Sequence, residues 1–321
     1  MKTDNTVISN GIIKNNRFYP KKNLPSGTLR IVLTTDCNYQ CKYCFAEGEI
    51  NKEKRILNIE ELKRIIKVSK EFGITNIKLT GGEPLLYPHI DELLSYIRKI
   101  DIPYIDLTTN ISCLTPKNIK MLNKYNINAL TLSLNTLKEE KFKYLSNFKN
   151  YDLMINNLES TIKNFKGSIR INCIIFDDRY EQEDYDEIVQ FCKTRKLGLR
   201  LVEPSEVEGL EITYTKEKFE EYIKIIKSTA NKVIASNCES VEYVFFDDWY
   251  LTIMHSLCDN RFCDSCTDYM YIRVTSEMKL KPCLSRRDTE VPINMENDET
   301  IKMSFIEAIE YMGVGIKNEV S

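Results

Sequence analysis

Cys37, Cys41 and Cys44 stand as Cys-x3-Cys-x2-Cys in TTDCNYQCKYCFAEG, directly after the apolar, strand-like run at residues 29–35. Three thiols within eight residues can grip one metal cluster from a single loop. Structural zinc sites take four ligands, commonly as Cys-x2-Cys pairs from two places, and are coordinatively closed. Here the first gap is one residue too long for a zinc knuckle, and no histidine lies near. Soft thiolates also suit iron–sulfur clusters, which four cysteines ordinarily hold. A set of three is either missing its fourth ligand or built to keep one iron open, able to bind a small molecule and pass it an electron. The competing reading is three cysteines that merely fall together, which buried structural thiols rarely do in one polar loop.

With Tyr43 as the residue before the third cysteine, the pattern resembles the signature of the radical S-adenosylmethionine (SAM) enzymes. The resemblance continues in IKLTGGEPLL, residues 77–86, where Gly81, Gly82, Glu83 and Pro84 are similar to the element that receives the amino group of SAM in that family. Two glycines before a proline mark any tight turn, but this turn follows a second apolar strand downstream of the cysteine loop. The glycines let backbone approach a ligand closely, and Glu83 supplies an anion for an ammonium group. Thr109, Asn110, Ser133 and Asn135 fall where the family's strand ends touch the ribose and methionyl carboxylate of SAM. Ordinary strand-end capping uses the same residue types.

A second cysteine set, Cys258, Cys263, Cys266 and Cys283, lies in CDNRFCDSCTDYMYIRVTSEMKLKPCL. Its spacing alone fits zinc or a second iron–sulfur cluster; beside the first motif an auxiliary 4Fe–4S cluster is the expectation. This segment resembles the cluster segment of the GTP 3′,8-cyclase (MoaA-like) family of molybdenum-cofactor biosynthesis. TLRIVLTTDCNYQC, LTGGEPLL, LTTN, LSLNTL, IRIN and LRLVE agree in order from about residue 28 to 284. The resemblance implies a three-cysteine second cluster that contacts a nucleotide base, and cations that hold a triphosphate. It carries a substrate role onto Arg30, Arg170, Arg200 and Arg273; each by itself reads as a rim arginine in a local salt bridge. Four converging at a barrel mouth suit an anionic substrate, because planar guanidinium groups match carboxylate and phosphate.

The departures bear on the substrate. The chain ends KNEVS without that family's Gly-Gly tail, Tyr87 stands where the family has arginine, and TDYMY lengthens the cluster segment. Cys258, or else Cys238, is placed to be a fourth ligand, which would turn the second cluster into an electron conduit.

These residues need a scaffold with many strand ends on one face. Six β-branched runs (LRIVLTT, IKLT, YIDLTT, ALTLSL, SIRINCII and LGLRLV) alternate with amphipathic segments near residues 59–72, 90–100, 116–124, 154–165 and 185–195. Such alternation predicts a parallel sheet with right-handed crossovers, here an open or partial (β/α)6 TIM-type barrel. The cysteines, Gly81 to Pro84, Asn110, Asn135 and Glu203 all follow strand ends, the face where barrel active sites form. The expected organisation is an N-terminal extension (1–27), the barrel (28–210), and a small α+β auxiliary-cluster domain with the tail (211–321). A helix is expected near 216–227, and an amphipathic stretch lies near 305–311. Cys113, Cys173 and Cys192 read as core thiols, Asp247 and Asp248 as a hairpin turn, and His89 as structural.

The 321 residues, 42% hydrophobic, are enough to bury a core, and 45 Lys+Arg against 47 Asp+Glu give no surplus that points to nucleic acid or anionic membrane. No segment approaches a membrane span, so the cytoplasm is the expected location, and eleven cysteines there argue for metal or redox chemistry over disulfides. Two histidines give little support to a histidine-based site.

The expected function is reductive cleavage of SAM to a 5′-deoxyadenosyl radical, and hydrogen-atom abstraction from a small anionic, nucleotide-like substrate. The resemblance implies an electron donor such as flavodoxin or ferredoxin, and oxygen sensitivity. The rival readings are an authentic GTP 3′,8-cyclase, a peptide-modifying or dehydrogenating radical SAM enzyme, and a non-catalytic zinc or iron–sulfur redox sensor or scaffold.

Overall fold

Each central strand alternates apolar and polar residues, and that alternation sorts the molecule into a helix-covered face and a charged face. The computed structural model describes residues 6–8, 11–14, 17–20, 27–44, 53–176, 181–203, 216–236, 241–255, 270–283 and 288–311. Strands β1 (Thr6–Ile8), β2 (Gly11–Lys14) and β3 (Arg17–Pro20) form an antiparallel meander. Six parallel strands follow: β4 (Gly27–Val32), β5 (Ile74–Thr80), β6 (Tyr104–Thr109), β7 (Ala129–Ser133), β8 (Ser168–Ile174) and β9 (Gly198–Val202). Each pairs with the next in chain order, which bears out the expected open α/β barrel.

The crossovers are α1 (Ile59–Ser69), α2 (Ile90–Lys99), α3 (Pro116–Lys124), α4 (Glu139–Ser146), α5 (Tyr151–Asn164) and α6 (Gln182–Thr194). Local chemistry sets their starts: Asn58 accepts from the backbone N–H groups of Glu60 and Glu61, and Thr115 caps α3 ahead of Pro116. Leu62, Ile65 and Ile66 of α1 and Leu93, Leu94 and Ile97 of α2 are fully buried with Leu29, Ile31, Ile77, Leu79, Ile105 and Leu107 of the sheet. Each such side chain contributes roughly 1.5–3 kcal/mol of transfer free energy.

Helix α4 was not expected; only α5 was read between β7 and β8. Its apolar positions, Phe142 and Leu145, are too few to give a period, yet both are buried. The short helix packs against Tyr39 of the cysteine loop through Phe142, with ring centroids 5.8 Å apart.

After α7 (Lys216–Ser228), the antiparallel strands β10 (Lys232–Ser236), β11 (Val241–Phe245) and β12 (Tyr250–Met254) continue the sheet beyond β9. Asp247 and Asp248 occupy the turn between β11 and β12, as expected. On the other edge β13 (Met270–Val274) runs parallel to β4 and is followed by β14 (Lys279–Lys281) and β15 (Val291–Pro292). The two edges of the six-stranded core pair with different partners, so the barrel stays open. The last helix, α8 (Asp298–Glu310), packs on α1, with Phe305 stacked on Phe72 at 5.2 Å and Asp298 paired to Arg64 at 3.3 Å. No helix among the described residues is long and apolar enough to cross a membrane. The expected domain boundary near residue 210 lies outside the described residues.

Candidate active site

The cysteine loop leaves the C-terminal end of β4 and is pinned from three sides. Thr35 N–H donates to Arg55 O at 3.0 Å, while Gln40 and Lys42 donate their backbone N–H groups to Ser146 O and Leu145 O at 3.0 and 2.9 Å. The last carbonyls of α4, left over when a helix ends, thus hold the middle of the loop. Tyr39 is buried and lies 4.5 Å from Phe148 between ring centroids. Tyr43 packs on Phe176 at 5.1 Å. This frame leaves Cys37 and Cys41 half-buried and Cys44 exposed, all three as free thiols.

Burial pushes the Cys37 thiol up to about 11 and the Cys41 thiol up to about 12. Both stay protonated at neutral pH unless a positive centre replaces the proton, as metal ligation does. Among the described residues no three His, Cys, Asp or Glu side chains converge as a single metal ion requires. A cluster asks for something else, one thiolate on each of several irons, and three soft donors on one half-open loop fit that group.

The Gly-Gly-Glu-Pro turn lies directly on this loop. Gly82 N–H donates to Thr34 O at 2.7 Å and Glu83 N–H to Asp36 O at 2.8 Å. A Cβ on Gly82 would sit 2.2 Å from Asp36 O, and one on Gly81, at φ +147, would sit 2.4 Å from Thr34 O. The close approach that the glycines permit is therefore to the backbone of the cysteine loop. Pro84 opens a short 3-10 turn, and Glu83 caps it by accepting from Leu85 N–H at 3.1 Å.

Glu83 is fully buried and also accepts from Thr109 Oγ1 and Asn110 N–H, each at 2.8 Å. Burial outweighs these hydrogen bonds and pushes its carboxyl up to about 7. Among the described residues no Lys, Arg or His forms an ion pair with it. A cationic ligand group would complete this buried acid. Ser133 ends β7, and Asn135 just beyond it accepts from Ile174 N–H at 2.8 Å, which is strand-end capping.

Below this rim, the polar face of the strands carries, among the described residues, five cations and one carboxylate. Arg273 of β13 is in register with Arg30 of β4, Arg30 with Lys78 of β5, and Lys78 with Asp106 of β6. Arg170 and Arg200 face the same space from β8 and β9. Asp106 Oδ2 lies 3.2 Å from both Lys78 Nζ and Arg170 Nη2, and Arg170 also donates to Thr131 Oγ1 at 2.8 Å. Burial opposes ionisation of Asp106, but Lys78, Arg170 and Arg200 hold it below the usual carboxylate range.

Arg200 is pulled down to about 9 by burial and by Arg170. Burial would raise the Tyr271 phenol, yet Arg30, Lys78 and Arg273 bring it down to about 8. Arg30 Nη1 donates to the Tyr271 hydroxyl at 3.3 Å, and the Arg273 guanidinium lies 4.9 Å from the Tyr271 ring centre.

All four sequence-predicted arginines thus meet, but mid-strand below the rim rather than at the strand ends. Lys78, Asp106 and Tyr271 were not singled out from the sequence. The missed signal is alternation itself: parallel strands buried on both faces read as continuous apolar runs, and IKLT and YIDLTT do not.

Of the second cysteine set, Cys258, Cys263 and Cys266 lie outside the described residues, as does Cys238, while Cys283 follows β14 half-buried. Cys173 and Cys192 are buried and Cys113 is half-buried, consistent with core thiols. Beyond the strand ends, His255 bridges Glu203 at 3.5 Å and Glu242 at 3.3 Å, and Lys227 pairs with Glu242 at 2.5 Å.

Residues 31–192 match the radical SAM superfamily. Over 287 residues, 88% of this chain and 93% of the relative, the sequence is 31% identical to a probable GTP 3′,8-cyclase of Methanocaldococcus jannaschii. A probable GTP 3′,8-cyclase of Sulfurisphaera tokodaii is 29% identical over 83% of each chain. Among solved structures, Streptococcus suis SuiB bound to S-adenosylmethionine matches with a TM-score of 0.65 at 21% identity, over 90% of this chain and 67% of that one. Native anSMEcpe with bound AdoMet gives 0.65 at 15% identity, over 90% and 84%. At these identities the structural matches speak to the fold alone.

Proposed function

The chain belongs to the radical SAM superfamily of iron–sulfur enzymes, and from that premise we propose that it acts on a small anionic, nucleotide-like substrate held on the charged face of the barrel. The family implies a 4Fe–4S cluster and SAM. In this reading Cys37, Cys41 and Cys44 carry the cluster, and Glu83 takes the ammonium group of SAM. Tyr43, Gly81, Gly82, Pro84, Thr109, Asn110, Ser133 and Asn135 shape the SAM site around them. When bound, these groups supply reductive cleavage of a sulfonium and hydrogen-atom abstraction from a substrate carbon.

The chain's own contribution is to bind and orient. Arg30, Lys78, Arg170, Arg200 and Arg273 take the anion, and Asp106, 3.2 Å from both Lys78 and Arg170, holds those two in place. Tyr271, held by Arg30, presents its hydroxyl to the same space.

The observation that carries this reading is the gathering of Arg30, Lys78, Arg170, Arg200 and Arg273 around the carboxylate of Asp106 on one strand face. Guanidinium and ammonium groups gathered in this way match the oxygens of a carboxylate or phosphate. Cys258, Cys263, Cys266 and Cys283 are proposed to hold a second 4Fe–4S cluster in a C-terminal auxiliary domain (211–321) that assists turnover. With three of them as ligands its open iron is available to substrate; with Cys258 as a fourth it is an electron conduit.

The relatives named probable GTP 3′,8-cyclases make GTP the first substrate to test. Reconstituted protein would be incubated anaerobically with reductant and SAM, with and without GTP, and analysed by mass spectrometry. A GTP-dependent rise in 5′-deoxyadenosine with a cyclised nucleotide supports the GTP cyclase reading. Deoxyadenosine formed at one slow rate regardless of GTP, and of other nucleotides, would sink the nucleotide proposal while leaving the family intact.

A further inference from the structure

Three side chains tie the loop after β6 to the cysteine loop in a closed ring. Asn110 Nδ2 donates to Asn38 Oδ1 at 2.9 Å, Asn38 Nδ2 to Ser112 Oγ at 2.7 Å, and Ser112 Oγ to Asn110 Oδ1 at 2.6 Å. Such a ring can run in either sense, since turning both amides over and rotating the hydroxyl reverses every bond. The backbone settles it. Ser112 N–H lies 3.1 Å from Asn110 Oδ1, and only an oxygen can accept there. The amide nitrogen of Asn110 must then face the cysteine loop, where its second N–H reaches Cys37 Sγ at 3.6 Å. Cys37 Sγ also accepts from Tyr39 N–H at 3.4 Å.

We propose that Asn38 and Ser112 are positioning residues that hold the Asn110 amide against the Cys37 sulfur, and that this ring sets the reduction potential of the cluster bound there. The inference rests on Cys37 being a cluster ligand. An N–H donor lowers the electron density on a thiolate sulfur. Reduction adds one electron to the cluster, so the hydrogen bond stabilises the reduced form and raises the potential; hydrogen bonds to sulfur are among the factors that tune such clusters. No covalent bond forms or breaks, and the electron comes from a one-electron reductant. Neither Asn38 nor Ser112 needs to touch SAM or substrate to act this way.

The test is an EPR-monitored redox titration of the reconstituted protein without SAM, with iron content measured for every sample. In Asn110→Ala the oxidised-to-reduced ratio at a fixed potential should rise about tenfold, a shift of about 59 mV to more negative potential for one electron. Ser112→Ala and Asn38→Ala should move in the same direction, whereas Ser112→Thr, which keeps the hydroxyl, should hold the wild-type value. Wild-type potentials in Asn110→Ala or Ser112→Ala at full iron content would overturn the proposal.

A readout free of mutation is the hyperfine spectrum of the reduced wild-type cluster after 15N-asparagine labelling. A 15N coupling is expected, and its absence counts against the ring. Cys37→Ala separates the two claims: a cluster retained there with unchanged iron content and EPR signal defeats the ligand assignment itself.

Discussion

The backbone N–H of Asn110 donates to Glu83 Oε2 at 2.8 Å, joining the end of β6 to the Gly-Gly-Glu-Pro turn. Because Glu83 N–H also donates to Asp36 O at 2.8 Å, one residue couples the loops after β4, β5 and β6. Its fully buried carboxyl is therefore part of the frame as well as a candidate ligand group. A movement of any one loop is felt by the other two.

Gly82→Ala tests that coupling. The added Cβ would meet Asp36 O at 2.2 Å, a backbone atom that no side-chain rotation relieves. Overpacking of this kind costs about 1–3 kcal/mol, occasionally more. The variant is expected to melt lower and to take up iron poorly at Cys37, Cys41 and Cys44, read by chemical denaturation and iron analysis. Wild-type iron loading would show that the turn does not position the cysteine loop.

Asp106→Asn removes the carboxylate shared by Lys78 and Arg170, each 3.2 Å away. Breaking a buried pair from one side strands the remaining charge and costs about 3–5 kcal/mol. Anaerobic unfolding of the apo protein should show that loss. Inorganic triphosphate should recover more stability in the variant than in the wild type, since binding the folded state stabilises it.

Lys78→Met probes the substrate reading. The methionine fills similar space without charge, so the proposed SAM site around Glu83 and the cysteine loop should be untouched. The expected outcome is slow substrate-independent formation of 5′-deoxyadenosine at the wild-type rate. The nucleotide-dependent product should fall at least about a hundredfold, as the loss of a charged positioning contact of about 3 kcal/mol implies. Unchanged product formation would remove Lys78 from the substrate site.

His255 makes stability depend on pH near the end of β12. Its hydrogen bonds to Glu203 and then Glu242 raise it to about 9 from an ordinary 6.5. A raised imidazole contributes fully below pH 6.5, and the contribution is lost as pH rises through about 9. Allowing for solvent screening of this half-buried group, it is worth about 1–3 kcal/mol. His255→Gln should therefore be less stable than wild type at pH 6.5, with the two denaturation curves converging above pH 9. A difference that stays constant across that range would show that the role is packing alone.

The cysteine loop, the Gly-Gly-Glu-Pro turn and the six β/α units could be read from sequence because their determinants are local. Cysteines in one loop are close by covalent reach, a turn follows from its own glycines and proline, and helices declare a period. Helix α4 escaped because eight residues with Phe142 and Leu145 as its apolar positions give no period. Its role in holding the loop runs through the carbonyls of Leu145 and Ser146, which side-chain identity does not report.

What the sequence by itself determined is the reaction family and the order of the elements that carry it. Only the tertiary structure decided which charges meet. Arg30, Lys78, Asp106 and Arg273 share one face because the registers of β4, β5, β6 and β13 align them, and register is a property of strand pairing, not of any one strand. The same holds for Asn38 and Ser112, 74 positions apart yet hydrogen-bonded at 2.7 Å. Their hydrogen bond exists because two parallel strand ends bring two loops together, a relationship that residue spacing along the chain does not encode.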